Sequence, residues 1–354
     1  MNAAFTPKTN TTPDPFGPAR AVLAAAHKRG APHLRARLLD FSNALRAPGK
    51  PVPAASVAAA ATRYMDAAAA RAASELAVLI DNNPKWREPL YHNTPHYLEV
   101  AVTALALAQV EANAASPLLA GRAMPLSLST VDIGDCFVAG LAHDLKHPGG
   151  NNGGVRFLLE EKSWEQLKPI LQRANYSDAR QRRIYMMLLG TEPGCGAAAV
   201  ELAMRYHGSV ENERAGYFLE MTRLVGKQKD RTFDNLVRSL QTNVKLTVMS
   251  YMLNKSDLAF SLMPETYPGR VRDLQNEYRA AGLDIPLLDT NEMPLKDSAE
   301  FFFGKIAHVT DKPFLLNSVE NTLGKSARAA RAIGLGESAP ARPAPQSDAP
   351  KFKR

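Results

Sequence analysis

The chain has 354 residues, 45% of them hydrophobic and 22% charged, enough apolar material for one large globular domain or two small ones. No run reaches the ~18 consecutive apolar residues of a membrane-spanning helix, and the opening MNAAFTPKTNTTPDPF has no apolar stretch of the kind a secretory signal needs. The net charge of +8 sits at the ends: residues 1–60 hold 8 Lys and Arg against 2 Asp and Glu, residues 325–354 hold 7 against 2, and 28 against 31 remain for 61–324, so the charge does not form the basic body of a nucleic-acid-binding fold.

The two cysteines, Cys136 and Cys195, lack CxxC spacing, which fits a reduced, cytoplasmic compartment and no zinc ribbon. The Thr/Pro-rich start also admits export as an effector. Along the chain, residues 1–54 read as a largely disordered or partly helical segment. A helical domain is expected over 55–333, and a disordered Pro/Ala/basic tail over 334–354. Within the domain, apolar residues recur at helical spacing in Ala55–Ile80, Leu98–Val110 and Val131–His143. Ser177 and Asp178 look like starters for a helix over Ala179–Leu189. Further stretches are Ala197–Arg205, Phe233–Leu258 and Arg270–Ala281. No strand alternation or hairpin turn stands out, so the expected fold class is all-α.

Metal-binding residue types gather at the borders of these helices. In Tyr91-His92-Asn93-Thr94-Pro95-His96, Pro95 suits a first helical turn and Asn93 or Thr94 a cap, which puts His96 in the helix and His92 on the loop before it. In His143-Asp144-Leu145-Lys146-His147-Pro148-Gly149, His143 ends an apolar helix, and His147 reaches the same side if the helix continues until Pro148-Gly149 stops it. Asp257 closes another long apolar helix. Four of the eight histidines fall in these two clusters. Imidazoles and carboxylates together suit Zn²⁺, Mn²⁺, Fe²⁺ or Mg²⁺, and two such ions about 3.5–4 Å apart can clamp an in-line phosphoryl displacement.

The run Tyr91-His92-Asn93-x-x-His96, then Leu141-Ala142-His143-Asp144-x-x-His147-Pro148-Gly149-x-x-Asn152, then Ser256-Asp257-Leu258-Ala259, resembles the signature of class I cyclic-nucleotide phosphodiesterases, the helical branch of the HD-domain metal-dependent phosphohydrolases. The likeness spans roughly 91–314. It implies a multi-helix bundle with a metal site in a central cleft. His96, His143, Asp144 and Asp257 would hold a tighter ion, zinc in the family, and Asp144 would bridge to a second, magnesium or manganese. His147 would bind the water shell of that second ion, and Asn93 would help fix the turn presenting His92, although capping explains it equally well. The implied reaction is hydrolysis of a phosphoester, a 3′,5′-cyclic nucleotide in the family, by attack of metal-bound hydroxide with His92 as general acid.

Weaker matches are Glu160, with Glu161 and Glu165 as rivals, and Thr191, while His207 has no counterpart. In Ser298-Ala299-Glu300-Phe301-Phe302-Phe303, Phe302 fits the family's base-stacking Phe. Ala299 stands where the family has a base-reading Gln, with Glu300 beside it, so the resemblance supports the phosphoesterase chemistry better than a purine substrate. A small nucleotide is the expected partner, with no nucleic acid and no membrane span. The alternatives are an HD-type nucleotidase or nucleoside triphosphohydrolase, and an inactive HD-fold binding module.

Overall fold

The computed structural model describes residues 17–28, 33–49, 51–84, 88–113, 127–150, 152, 155–193, 195–209, 211–228, 230–262 and 265–282. Phe302, Glu300 and Ala299 lie outside them, as does the tail. Among the described residues there are thirteen α-helices, one short 3₁₀ turn at Thr62–Tyr64 and no strand. The helices are α1 (Gly17–His27), α2 (Leu34–Leu45), α3 (Ala54–Ala61), α4 (Ala67–Asp81), α5 (Thr94–Ala112), α6 (Thr130–Ala142), α7 (Leu158–Arg173), α8 (Asp178–Leu189), α9 (Cys195–Gly208), α10 (Glu211–Gln228), α11 (Arg231–Thr242), α12 (Val244–Leu262) and α13 (Tyr267–Ala280). The fold is all-α, and no described helix is long and apolar enough to cross a membrane.

α5 is the axle. Every residue from His96 to Glu111 is buried, because α6 and α12 pack along it over their lengths and α1 covers a further face. A helix apolar all round has to be surrounded in this way. The crossing with α6 is close because position 140 is Gly: a Cβ there would lie 2.6 Å from Ala101 Cα and 3.0 Å from Ala101 N. That contact brings the C-terminal end of α6 against the first turns of α5.

The other end of α6 is pinned by charge. Asp135, fully buried, accepts from Arg180 Nε at 2.7 Å and Arg183 Nε at 3.0 Å. Asp132 closes a capping box with Ser129 and takes Arg183 Nη1 and Lys245 Nζ, both at 3.0 Å. Arg180 also forks onto Asp66, at 2.9 and 2.7 Å. These bonds tie α4, α6, α8 and α12 together with each buried carboxylate compensated, as burial requires.

Several expected boundaries shift for local reasons. The stretch 55–80 is two helices, because Asp66 turns its carboxylate onto the N–H groups of Ala68 and Ala69 and starts α4. The stretch 233–258 is also two: Asn243 leaves helical geometry (φ −128°, ψ 93°) and caps α12 through Leu246 N at 3.0 Å. α12 runs on to Leu262, so Asp257 lies inside it rather than closing it. α6 ends at Ala142, and Lys146 takes a left-handed conformation (φ 59°), so His147 stands on a turn and not on a continued helix. The packing also begins before residue 55: Val22 and Leu23 of α1 and Leu38 and Phe41 of α2 are fully buried in the common core.

Candidate metal centre

Asn93 sets the first element in place. It is the N-cap of α5, its Oδ1 accepting from His96 N at 3.2 Å, with Pro95 in the first turn. His96 is thereby turned inward on the first turn and is almost fully buried. His143, the C-cap of α6, and Asp144, the next residue, arrive from the opposite direction. Asp257 comes from α12, which packs on both.

The four side chains converge: one donor atom from each lies within 4.8 Å of the other three. His143 Nε2 is 2.9 Å from Asp144 Oδ2, 3.3 Å from His96 Nε2 and 3.5 Å from Asp257 Oδ1. His96 Nε2 is 3.2 Å from Asp257 Oδ1 and 3.5 Å from Asp144 Oδ2. Metal bonds of about 2.0–2.2 Å place donor atoms about 3.3–3.6 Å apart in a tetrahedron and about 2.8–3.1 Å apart in an octahedron. The observed edges fall across these two ranges.

The donor set fits a cation on chemical grounds. His143 Nδ1 lies 2.9 Å from the Gly140 carbonyl, which can only accept, so Nδ1–H is fixed there and Nε2 is the nitrogen turned to the centre. Facing it are two carboxylates, also acceptors. Burial opposes charging His96 and His143, but Asp144 and Asp257 outweigh it and raise both imidazoles above their ordinary range. Burial likewise works against ionising Asp144 and Asp257, and the imidazoles beside them override it and hold both low. The centre therefore favours positive charge, whether protons on imidazole or a divalent ion.

A second group, His92, Asp144 and His147, shares Asp144 with the first. His92 Nε2 is 3.7 Å from Asp144 Oδ2, and its ring stacks on His147 with centroids 3.9 Å apart. Its rear nitrogen is held by Glu277 of α13, Nδ1 lying 2.5 Å from Oε1. The other oxygen of Glu277 takes the N–H groups of Tyr91 at 2.9 Å and His92 at 3.0 Å. Tyr97 OH donates to His92 O at 2.9 Å. Burial would raise Glu277, but its bonds to His92 prevail and keep it low, so the ring nitrogen facing it is a donor.

His147 accepts from Gly149 N at 3.0 Å through Nδ1, which leaves Nε2–H as its donor. Burial, and then the neighbouring His92, push it down to about 4, so it is neutral at physiological pH. Gly149 has φ 85°, and a Cβ there would come within 3.3 Å of Glu277 Cγ, so the turn needs glycine.

Of the weaker candidates, Glu160 is buried on the first turn of α7 and takes Asn152 Nδ2 at 3.3 Å. Burial, with the charge of Asp144 adding to it, pushes Glu160 up to about 7. Its rival Glu161 is bonded to the Tyr185 hydroxyl. Thr191 spends its hydroxyl on Leu188 O at 2.7 Å, the ordinary role of a threonine ending a helix. His207 is likewise structural, bonded to Leu240 O at 2.7 Å. Glu277 is not legible from local sequence, since it lies 185 residues from His92 on a helix with no metal-ligand motif.

No protein-family model matches the chain, and no curated protein matches it. Among solved structures, the chain is similar to the crystal structure of yeast caPDE2 in complex with IBMX, with a TM-score of 0.48 and 12% identity over 90% of this chain and 68% of that chain.

Proposed function

We propose that the chain is a metal-dependent phosphodiester hydrolase, with a 3′,5′-cyclic nucleotide as its substrate class. The observation that carries the reading is one assembly: four donors converging from α5, α6 and α12, and beside them His92, backed by a carboxylate and facing the shared Asp144. His96, His143, Asp144 and Asp257 would hold one divalent ion, and Asp144 would also serve a second. Bound there, such ions supply Lewis acidity and bring the pKa of a coordinated water near neutrality.

The chain's own groups account for the rest. His92, with Nδ1–H held by Glu277, keeps Nε2 aimed into the site, where a proton on it can pass to a departing ester oxygen. The Glu277 carboxylate accepts from Nδ1–H and fixes the orientation of the ring. Neutral His147 stacks on the ring and offers Nε2–H to a water or phosphoryl oxygen. What narrows phosphoesters to cyclic nucleotides is the resemblance of the motifs around 91–96, 143–152 and 257. From the sequence resemblance, Phe302 would stack on a base and Glu300 would read an amino edge, since Ala299 lacks the amide that the family uses there.

A panel of cyclic and linear nucleotides with added Mn²⁺, Mg²⁺ or Zn²⁺ tests the substrate class. Turnover of linear triphosphates alone favours the nucleotidase alternative, and metal uptake without turnover favours the binding module. The role of His92 has its own test. His92→Ala should retain metal and lose about 10²–10⁴-fold in kcat on a cyclic nucleotide. The loss should shrink on bis-p-nitrophenyl phosphate, whose leaving group needs little protonation. Loss of metal, or equal loss on both substrates, contradicts the assignment.

A further inference from the structure

α13 carries Glu277 to His92. Among its described side chains the buried ones are Arg270, Gln275 and Glu277, all polar, and it packs broadly only on α12. Arg270 and Glu277 are seven residues apart, two turns, and so share one face of the helix. Each is bonded to the segment that carries the motif. Glu277 takes the backbone N–H groups of Tyr91 and His92 as well as the His92 ring. Arg270, 3% exposed, donates through Nη2 to Glu99 and, at 3.1 Å, to Ser42 Oγ.

Glu99 is fully buried on α5, one turn beyond His96, and takes Ser42 Oγ at 2.6 Å and Arg46 Nε at 3.4 Å. The two clasps thus fall at the two ends of residues 91–99, and α13 lies across them as a brace. Sliding or lifting α13 would break both, because each is a directional bond in a buried setting.

We propose that the Glu99–Arg270 ion pair is a positioning device for His92: it fixes the register of α13 and so holds Glu277 against the ring nitrogen. Arg270 and Glu99 touch neither substrate nor metal in this account and act through Glu277. The proposal deepens the reading of His92 as a proton donor and rests on it.

The test is the double variant Glu99→Gln, Arg270→Met, which removes both fully buried charges and leaves Arg46, the part-exposed second partner of Glu99, paired with Asp273 at 3.8 Å, and so is expected to fold where either single change would strand a buried partner. Its metal content and KM should match the wild type. Its kcat on a cyclic nucleotide should fall by about 10–100-fold, a part of what a general acid contributes, with bis-p-nitrophenyl phosphate little affected. Histidine ¹⁵N–¹H spectra of the metal-loaded protein give a readout independent of activity: the His92 signature of an Nδ1–H bonded to carboxylate should weaken, while that of His143 on the Gly140 carbonyl persists. Unchanged kcat and unchanged His92 signals overturn the proposal. So does an equal loss on both substrates with loss of metal, which would place the pair in support of His96 instead. If the wild type cleaves neither ester, the phosphodiesterase reading falls, and the His92 signals still decide whether the clasp positions the ring.

Discussion

Asp144 Oδ2 lies 2.9 Å from His143 Nε2, 3.5 Å from His96 Nε2 and 3.7 Å from His92 Nε2, so one oxygen serves both groups of the centre. Nearby Glu160 has the opposite problem, a buried carboxyl whose bonds to the Asn152 amide and its own backbone N–H do not offset burial. Its folded pKa, pushed up to about 7, exceeds the ordinary 4.5. A raised pKa contributes stability fully present below the unfolded value and lost as pH rises through the folded one. Glu160→Gln removes that slope. In protein stripped of metal, denaturant titrations should show the variant gaining on the wild type between pH 4.5 and pH 8 by about 1–3 kcal/mol, from about 1.4 kcal/mol per pKa unit with allowance for relaxation. A difference that does not change with pH would mean that Glu160 is ionised in the fold like an exposed carboxylate.

At the scale of elements, the α5–α6 crossing is what brings His96 and His143 within reach of each other. Gly140 acts twice there, through its missing Cβ against Ala101 and through its carbonyl on His143. Gly140→Ala should cost about 1–3 kcal/mol of stability by overpacking and should also weaken zinc binding, read by competition with a chelating dye. Gly216, on the exposed side of α10 with nothing near its Cβ position, is the control: Gly216→Ala should be neutral or stabilising by up to about 1 kcal/mol. Equal effects at the two positions would contradict the close-approach argument. Sequence reveals the elements that carry the site because their signals are local: Asn93-Thr94-Pro95 opens α5, and Ser177 caps α8 through Arg180 N. It conceals α2, where Leu34, Leu38, Phe41 and Leu45 recur at helical spacing, because the basic composition of residues 1–60 argues for a solvated arm, whereas Arg46 turns inward onto Glu99. α7 is concealed by its charges and by Pro169 within it.

For the whole molecule, the centre is a meeting of distant segments. His96 and Asp257 stand on helices, and His143 caps one, whose own sequence marks a polar residue out of place, so these candidate ligands are legible. The partners that orient the site, Glu277 on His92 and Arg270 on Glu99, are 185 and 171 residues away, and nothing local distinguishes them from solvated charges. The assembly also couples metal to protons. With the pKa of His96 and His143 raised, the metal-free fold is favoured below the ordinary histidine value of 6.5 and loses that stabilisation as pH rises. Metal binding requires the same nitrogens free. The melting-temperature gap between metal-loaded and metal-stripped protein should therefore widen from pH 6 to pH 8.5. The most direct test of the central claim is the rate of cyclic-nucleotide hydrolysis by chelator-stripped protein as Mn²⁺ is added back. The stripped protein should show no turnover, with saturable recovery in the wild type and none in Asp144→Ala. Turnover that survives stripping, or that Asp144→Ala retains, would contradict that claim.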